Sequence, residues 1–304
     1  MEPDDISALV LGPAARALAA VPNAPRMSAA SAESLRRIAA VDEEGAARAL
    51  HLPIERPLTV AADGREIVTL MTLGAAPEWL VLGYLVNQRL IDDVAAVRAI
   101  EVDWTRGVAS VTSESGNLGE PLIGHSGGAA IPLGCGLGTV FADVMRQLDG
   151  EEVMSSAAVG TNAAAARPPI PQTALLSILE TMRGHDAIHR AAGSVHSCAL
   201  FRGGELWLAV EDVSRHNGVD TLTGFMRLHG VDGADKIWFT TGRLTGEMVM
   251  KAAHNGISVM ISRNGTTAVG YALAAKLGMT LIGRAANRRY LCYIGADRIE
   301  IPPR

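Results

Sequence analysis

The chain has 304 residues, of which 48% are hydrophobic and 19% charged, and its net charge is −5. At roughly 150 residues per domain the length suggests about two domains; the apolar content supplies a core and the modest charge excludes a disordered chain. The acidic balance argues against a general nucleic-acid binder, whose surface would be basic. The three cysteines, Cys135, Cys198 and Cys292, are odd in number and widely spaced. This excludes a disulfide framework, and without a Cys-x-x-Cys there is no zinc ribbon or thioredoxin-like pair. The longest apolar stretch, 79–86, falls far short of the ~20 residues of a membrane span. The opening Met1-Glu2-Pro3-Asp4-Asp5 lacks the basic start of a secretory signal. The expectation is a cytoplasmic protein that engages neither membrane nor nucleic acid.

Residues 1–50 are rich in alanine and interrupted by Pro13, Pro22 and Pro25. They read as a weakly ordered extension with one or two short helices, one of them at 31–40. Order is expected from about His51. The run 58–70 contains two strands around Asp63-Gly64, a hairpin signal. A buried helix is predicted over 77–87, then a strand pair at 100–104 and 108–112. Gly-rich sequence follows, Gly124-His125-Ser126-Gly127-Gly128 and Leu133-Gly134-Cys135-Gly136-Leu137-Gly138-Thr139, and reads as a loop. Residues 51–150 thus form a small α+β portion ending in that loop, and 151–171 a linker.

The remainder, 172–304, alternates. Helices are predicted at 172–183, 219–229, 245–255 and 267–277. Strands are predicted at 195–201, 206–210, 236–240, 258–262, 280–283 and 289–294. Such alternation implies a largely parallel sheet layered between helices.

Polar clusters recur where strands end. Glu211-Asp212-Val213-Ser214-Arg215-His216-Asn217-Gly218-Val219-Asp220 follows one strand and opens a helix. Charges in such a position mark a solvated loop, a capping cluster or a pocket rim, and His216 is suited to proton transfer. In Thr241-Gly242-Arg243-Leu244-Thr245-Gly246-Glu247, Thr245 is a candidate N-cap and Arg243 a planar fork for phosphate. Thr267 caps the helix after Arg263-Asn264-Gly265 in the same manner. Arg284-Ala285-Ala286-Asn287-Arg288-Arg289 adds a local basic cluster. Together these turns point to one crevice for a phosphorylated ligand. Cys198 and Cys292 fall in strand patterns and read as packing residues. Cys135, between glycines, is the accessible thiol. The ligand pattern of a zinc deaminase is missing, and no metal site is expected.

These motifs resemble the FdhD family, sulfur carriers that mature molybdenum-dependent formate dehydrogenases. The likeness spans about residues 51–300. It rests on Gly134-Cys135-Gly136, Gly193-Ser194-Val195-His196, the 211–220 run, 241–252, and Leu281-Ile282-Gly283-Arg284 with the arginines after it. It implies a cytidine deaminase-like layered α/β/α domain with a smaller N-terminal α+β portion. It implies a persulfide on Cys135, received from a cysteine desulfurase. The bis(molybdopterin guanine dinucleotide) molybdenum cofactor is then bound as cargo by Arg284, Ala285, Ala286, Asn287, Arg288 and Arg289, with Arg243, Thr245, His216 and Thr267 as further candidates. An apo formate dehydrogenase or related molybdoenzyme would be the client, and the protein a homodimer. Departures from the family pattern are Gly138, where a second cysteine is usual, and Ser214, Thr221, Gly265-Thr266-Thr267 and Arg284. They suggest a divergent paralogue.

Overall fold

The computed structural model describes residues 7–118 and 168–302. Cys135, His125, Gly138 and the greater part of the expected linker lie outside the described residues. In chain order the first part holds β1 (Leu9–Leu11), α1 (Pro13–Arg16), β2 (Arg26–Met27), β3 (Leu35–Val41), β4 (Ala47–Pro53), β5 (Arg56–Ala62), β6 (Arg65–Thr72), α2 (Pro77–Asn87), β7 (Val97–Asp103) and β8 (Val108–Ser113). The second holds β9 (Ile170–Pro171), α3 (Gln172–Gly184), α4 (Ala187–Ala192), β10 (His196–Arg202), β11 (Glu205–Asp212), α5 (Arg215–Leu228) and β12 (Lys236–Thr240). It continues with α6 (Gly246–His254), β13 (Val259–Ser262), α7 (Ala268–Lys276), β14 (Thr280–Ala286), β15 (Arg289–Ile294) and β16 (Ile299–Glu300).

A seven-stranded mixed sheet runs β1-β11-β10-β12-β13-β14-β15. The β12–β13 and β13–β14 pairs are parallel, whereas β10 runs antiparallel to both β11 and β12. The carboxyl ends of β11, β12, β13 and β14 and the start of β10 therefore share one edge. Side chains alternate across the sheet. Cys198, Leu200, Trp238 and Met260 pack with Val219, Phe225, Met248 and Leu273 of α5, α6 and α7. Ala199, Phe201, Ile237, Phe239 and Ile261 pack with Leu175, Ile178 and Met182 of α3. Helices thus cover both faces.

The smaller five-stranded sheet runs β2-β7-β8-β5-β6. Its β5–β6 hairpin turns on Asp63 (φ 47°) and Gly64 (φ 80°), the left-handed pair that an Asp-Gly turn supplies. Leu58, Val60, Ile100 and Val111 of this sheet bury Val81, Leu82, Leu85 and Val86 of α2. On its other side α2 crosses α5 at two glycines. A Cβ on Gly83 would lie 1.7 Å from the Asp220 carbonyl oxygen, and one on Gly224 would lie 1.9 Å from that of Trp79. Only glycine permits this approach, and the crossing joins the two sheets.

The N-terminal segment corrects the expectation of weak order. Residues 9–11 add β1 to the edge of the large sheet, with Val10 opposite Ala209. The helix expected at 31–40 is instead strand β3, paired with β4 from Leu35↔Pro53 to Val41↔Ala47. Leu35 and Ile38 have helical spacing, but Asp42 takes N–H bonds from Glu44 and Ala46 and Gly45 turns at φ 81°, which closes a hairpin. The helix expected from 219 begins at Arg215, because Ser214 caps it by accepting the His216 N–H. Among the described residues no helix is long and apolar enough to cross a membrane.

Candidate functional site

The shared edge of the large sheet carries the polar clusters. Hydroxyl and amide groups stitch adjacent strand ends together. The Thr240 hydroxyl accepts the Gly242 N–H at 3.0 Å, and the Ser262 hydroxyl donates to the Gly242 carbonyl at 2.6 Å. The Asn264 side chain donates to the Thr241 carbonyl at 2.9 Å, and the Arg284 N–H donates to the Asn264 carbonyl at 2.8 Å. The Arg215 side chain lies flat on Gly242, where a Cβ would meet its Cδ at 2.4 Å. Backbone at the end of β12 is thus held against the first turn of α5.

Glu211 and Asp212 belong to β11 and are almost fully buried. The Glu211 carboxylate accepts the N–H groups of Ile188 and His189, at the start of α4, at 2.8 and 3.0 Å. Asp212 accepts bonds from the Thr72 hydroxyl, the Leu73 and Ser214 N–H groups and the Asn217 amide. Burial nevertheless outweighs these donors and pushes its carboxyl up to about 6. It anchors the end of β6 to the crevice loop.

Two histidines stand at this edge in different settings. His196 has Nδ1 3.3 Å from the Thr241 hydroxyl, which itself accepts the Ser197 N–H at 2.9 Å. The Thr241 hydroxyl thus links the His196 ring to the start of β10. Burial, and then the charges of Arg215, His189, His216 and Arg243, hold His196 below the usual imidazole range. His216 has Nδ1 3.1 Å from Glu247 Oε1. Burial would raise the Glu247 carboxyl, but the contacts of His216 and Lys251 prevail and hold it below the usual range.

The residues expected from sequence divide as follows. His216 and Thr245 open α5 and α6 at this edge, and Arg243 is exposed between β12 and α6. The Thr245 side chain makes no capping bond, whereas Thr267 caps α7 by accepting the Gly270 N–H at 3.1 Å. Arg284 reaches the same rim through Asn264. Residues 284–289 are not a loop beyond a strand but the end of β14, a turn and the start of β15. Asn287 (φ 49°) and Arg288 (φ 64°) form the turn, with Ala286 opposite Arg289. Asn287, Arg288 and Arg289 are exposed at the tip of this hairpin, and Arg284 bulges outward at φ 49°. Ala285 is the exception, for its methyl group belongs to the core beneath α3. Cys198 is enclosed against Thr240, and burial pushes its thiol up to about 12. Burial also raises the thiol of Cys292. Neither is a ready nucleophile.

Sequence reasoning did not bring together the groups behind this rim: Asp220, Glu247 and Lys251, together with the Thr241–His196 pair. Their signal is helical spacing. Glu247, Lys251 and Asn255 fall at i, i+4 and i+8, and His216, Asp220 and Thr223 at i, i+4 and i+7. Polar stripes of that kind, in helices otherwise packed with apolar residues, face one another. Among the described residues no three His, Cys, Asp or Glu side chains gather to hold a metal ion.

Comparison with known proteins agrees with this architecture. Sulfur carrier proteins FdhD of Geobacillus kaustophilus and Bacillus subtilis are 26% and 28% identical to the chain, over 82% and 81% of its length and 90% and 89% of theirs. That of Bordetella petrii is 29% identical over 82% of the chain and 86% of its own length. A crystal structure of a formate dehydrogenase accessory protein from Desulfotalea psychrophila superposes with a TM-score of 0.64 at 25% identity, covering 88% of this chain and 98% of that one. The profile of the FdhD/NarQ family matches residues 53–300, and the chain belongs to that family.

Proposed function

We propose that the protein is a sulfur carrier. It accepts a persulfide on Cys135 from a cysteine desulfurase and passes the sulfur to a bis(molybdopterin guanine dinucleotide) molybdenum cofactor, for a formate dehydrogenase or related molybdoenzyme. The observation that carries the reading is the family match over 53–300, which includes the Gly134-Cys135-Gly136 motif. The layering of helices on both sheet faces is read as cytidine deaminase-like. The basic rim suits the cargo: Arg243 and Arg284, with Arg288 and Arg289 on the neighbouring hairpin, offer planar forks to pyrophosphate oxygens. The N-terminus of α6, whose Thr245 side chain makes no capping bond, adds N–H donors.

The direct test is mass spectrometry of the full chain after incubation with a desulfurase and cysteine. The wild type gains the mass of one sulfur on the peptide containing Cys135. Cys135→Ser gains none yet still binds guanosine diphosphate. A Ser variant that still activates the client enzyme would refute the carrier role. A second reading, a cofactor chaperone without sulfur transfer, is favoured by one feature, Gly138 where the family usually has a second cysteine. It is selected if the wild type binds the nucleotide and takes up no sulfur.

A further inference from the structure

Behind the rim, a polar seam runs between α5, α6 and α2. The Lys251 ammonium donates to both carboxylate oxygens of Asp220 at 2.8 and 3.0 Å, and lies 3.5 Å from Glu247 Oε1. Asp220 also accepts from the Asn87 amide at 2.7 Å. Asn87, Thr223 and Asn255 then bond to one another at 2.9 to 3.1 Å. Lys251 and Asp220 are each only 3% exposed. Charges so deeply buried are costly, and keeping them calls for a role beyond packing. The seam ends at the crevice, where Glu247 meets His216 Nδ1 at 3.1 Å.

That contact places an acceptor-only carboxylate beside Nδ1. Glu247 is held ionised and can only accept; its oxygen 3.1 Å from Nδ1 is not aligned as a hydrogen bond, but its charge favours the hydrogen on Nδ1 and a lone pair on Nε2. His216 Nδ1 is shielded from solvent and makes no hydrogen bond of its own, yet the side chain keeps 14% exposure, which falls on the rest of the ring. A base oriented by a carboxylate that is itself held in place is the arrangement of a proton acceptor. Positive charge lies nearby: Arg215 precedes His216 on α5, and Arg215 and Arg243 both lie within electrostatic reach of the neighbouring His196, as His216 does. Such surroundings favour a sulfur anion over its protonated form.

We propose that His216 is the proton acceptor for the S–H group of a sulfur-accepting thiol brought to this crevice, and that Glu247, backed by Lys251 and Asp220, is its positioning residue. The proposal rests on the sulfur-carrier reading. In the step, the S–H bond breaks with its electron pair staying on sulfur, and the proton goes to Nε2. The imidazolium so formed faces Glu247, the sulfur anion faces the guanidinium groups, and nothing is oxidised or reduced. The charged and titratable groups around His216 are Glu247 and Lys251 of α6, Arg215 and Asp220 of α5, His196 of β10, and Arg243. Tyr84 of α2 senses the same carboxylates, but burial raises its phenol and keeps it neutral.

The test uses the full chain with two readouts. Nitrogen NMR of 15N-histidine protein is expected to show His216 with its hydrogen on Nδ1. Glu247→Ala removes the acceptor and releases that tautomer, whereas Glu247→Gln, which still offers an oxygen, retains it. Sulfur uptake from a desulfurase charged with 35S-cysteine is expected to rise with pH along an acidic limb. His216→Gln slows uptake by about 100-fold or more and abolishes the limb, in line with general acid–base effects. Glu247→Ala slows it by about 10-fold or more, and Glu247→Gln recovers part of the loss. An Nε2–H tautomer in the wild type, or a flat pH profile, overturns the proposal even if His216→Gln does not fold. Uptake by His216→Gln within about threefold of wild type overturns it too, against that expectation. A wild type that takes up no sulfur sinks the carrier reading and the acceptor role together, while the nitrogen spectrum still judges the positioning of His216.

Discussion

Replacing Lys251 by methionine tests the buried seam most directly. The substitution keeps the side chain's length and apolar stem but removes the charge that Asp220 holds with both oxygens, at 2.8 and 3.0 Å. Removing one partner of a buried pair costs about 3–5 kcal/mol, because the other charge is left uncompensated. Asp220 retains the Asn87 amide at 2.7 Å, so the lower end, about 3 kcal/mol, is expected. For a chain of this size that corresponds to a fall in Tm of roughly 5 °C. Urea unfolding of wild type and Lys251→Met, with thermal melts alongside, measures the loss. The double variant Lys251→Met with Asp220→Leu removes both charges and is expected to be more stable than the single one. A loss under about 1 kcal/mol in the single variant, or a double variant less stable than it, would refute the claim that desolvated charge governs this site.

The α2–α5 crossing yields a second prediction. Gly224→Ala forces a methyl group to within 1.9 Å of the Trp79 carbonyl oxygen, so the helices must separate. The expected loss is at least about 1–3 kcal/mol despite alanine's better helix propensity, and unchanged urea stability would contradict it. Asp212 gives a pH prediction. Its folded carboxyl titrates at about 6 against an ordinary value of 3.8, so the native state binds more protons than the unfolded chain between those limits. Asp212 therefore contributes a fall in stability as pH rises from about 4 to about 6, with a slope of at most about 1.4 kcal/mol per pH unit. The slope is read from urea melts of wild type minus Asp212→Asn, and a rise over that window contradicts the assignment. At the hairpin, replacing Arg284, Arg288 and Arg289 by alanine is expected to weaken guanosine diphosphate binding by about 10-fold or more and to flatten its salt dependence. Calorimetry at two salt concentrations checks this, and equal affinity would remove the hairpin from the cargo site.

Much of the second half was legible because its signals are local. The strands at 236–240 and 258–262 are short runs of mainly apolar residues, and each is followed by a turn and a threonine that opens a helix. The Asp63-Gly64 hairpin and α2 were legible for the same reason. What misled was pairing at a distance. Leu35 and Ile38 match a helix, and only the partner strand at 47–53 makes them a hairpin. Residues 9–11 are too few to read as a strand until β11 offers its edge. The arginines of 284–289 were located as a cluster, but the turn conformation of Asn287 and Arg288 and the burial of Ala285 come from pairing between β14 and β15. The site shows the same division. The turns announced a crevice, while the seam of Asp220, Glu247 and Lys251 depends on which helix faces meet.

The crevice is not the property of the large sheet alone. Asp212 sits at the end of β11, yet two of its donors, the Thr72 hydroxyl and the Leu73 N–H, come from the end of β6 in the small sheet. Asn217, in the first turn of α5, donates both to Asp212 and to the Met71 carbonyl. On the far side of α5, Asn87 of α2 bonds Asp220, and Gly83 brings the α2 backbone against α5. The small sheet and its helix therefore grip α5 at its first turn, which carries His216, and again at Asp220. A displacement of the small sheet relative to the large one would have to break these buried bonds or carry α5 with it. The geometry of the crevice is set by both halves of the chain, and the family profile spans both, from residue 53 to residue 300.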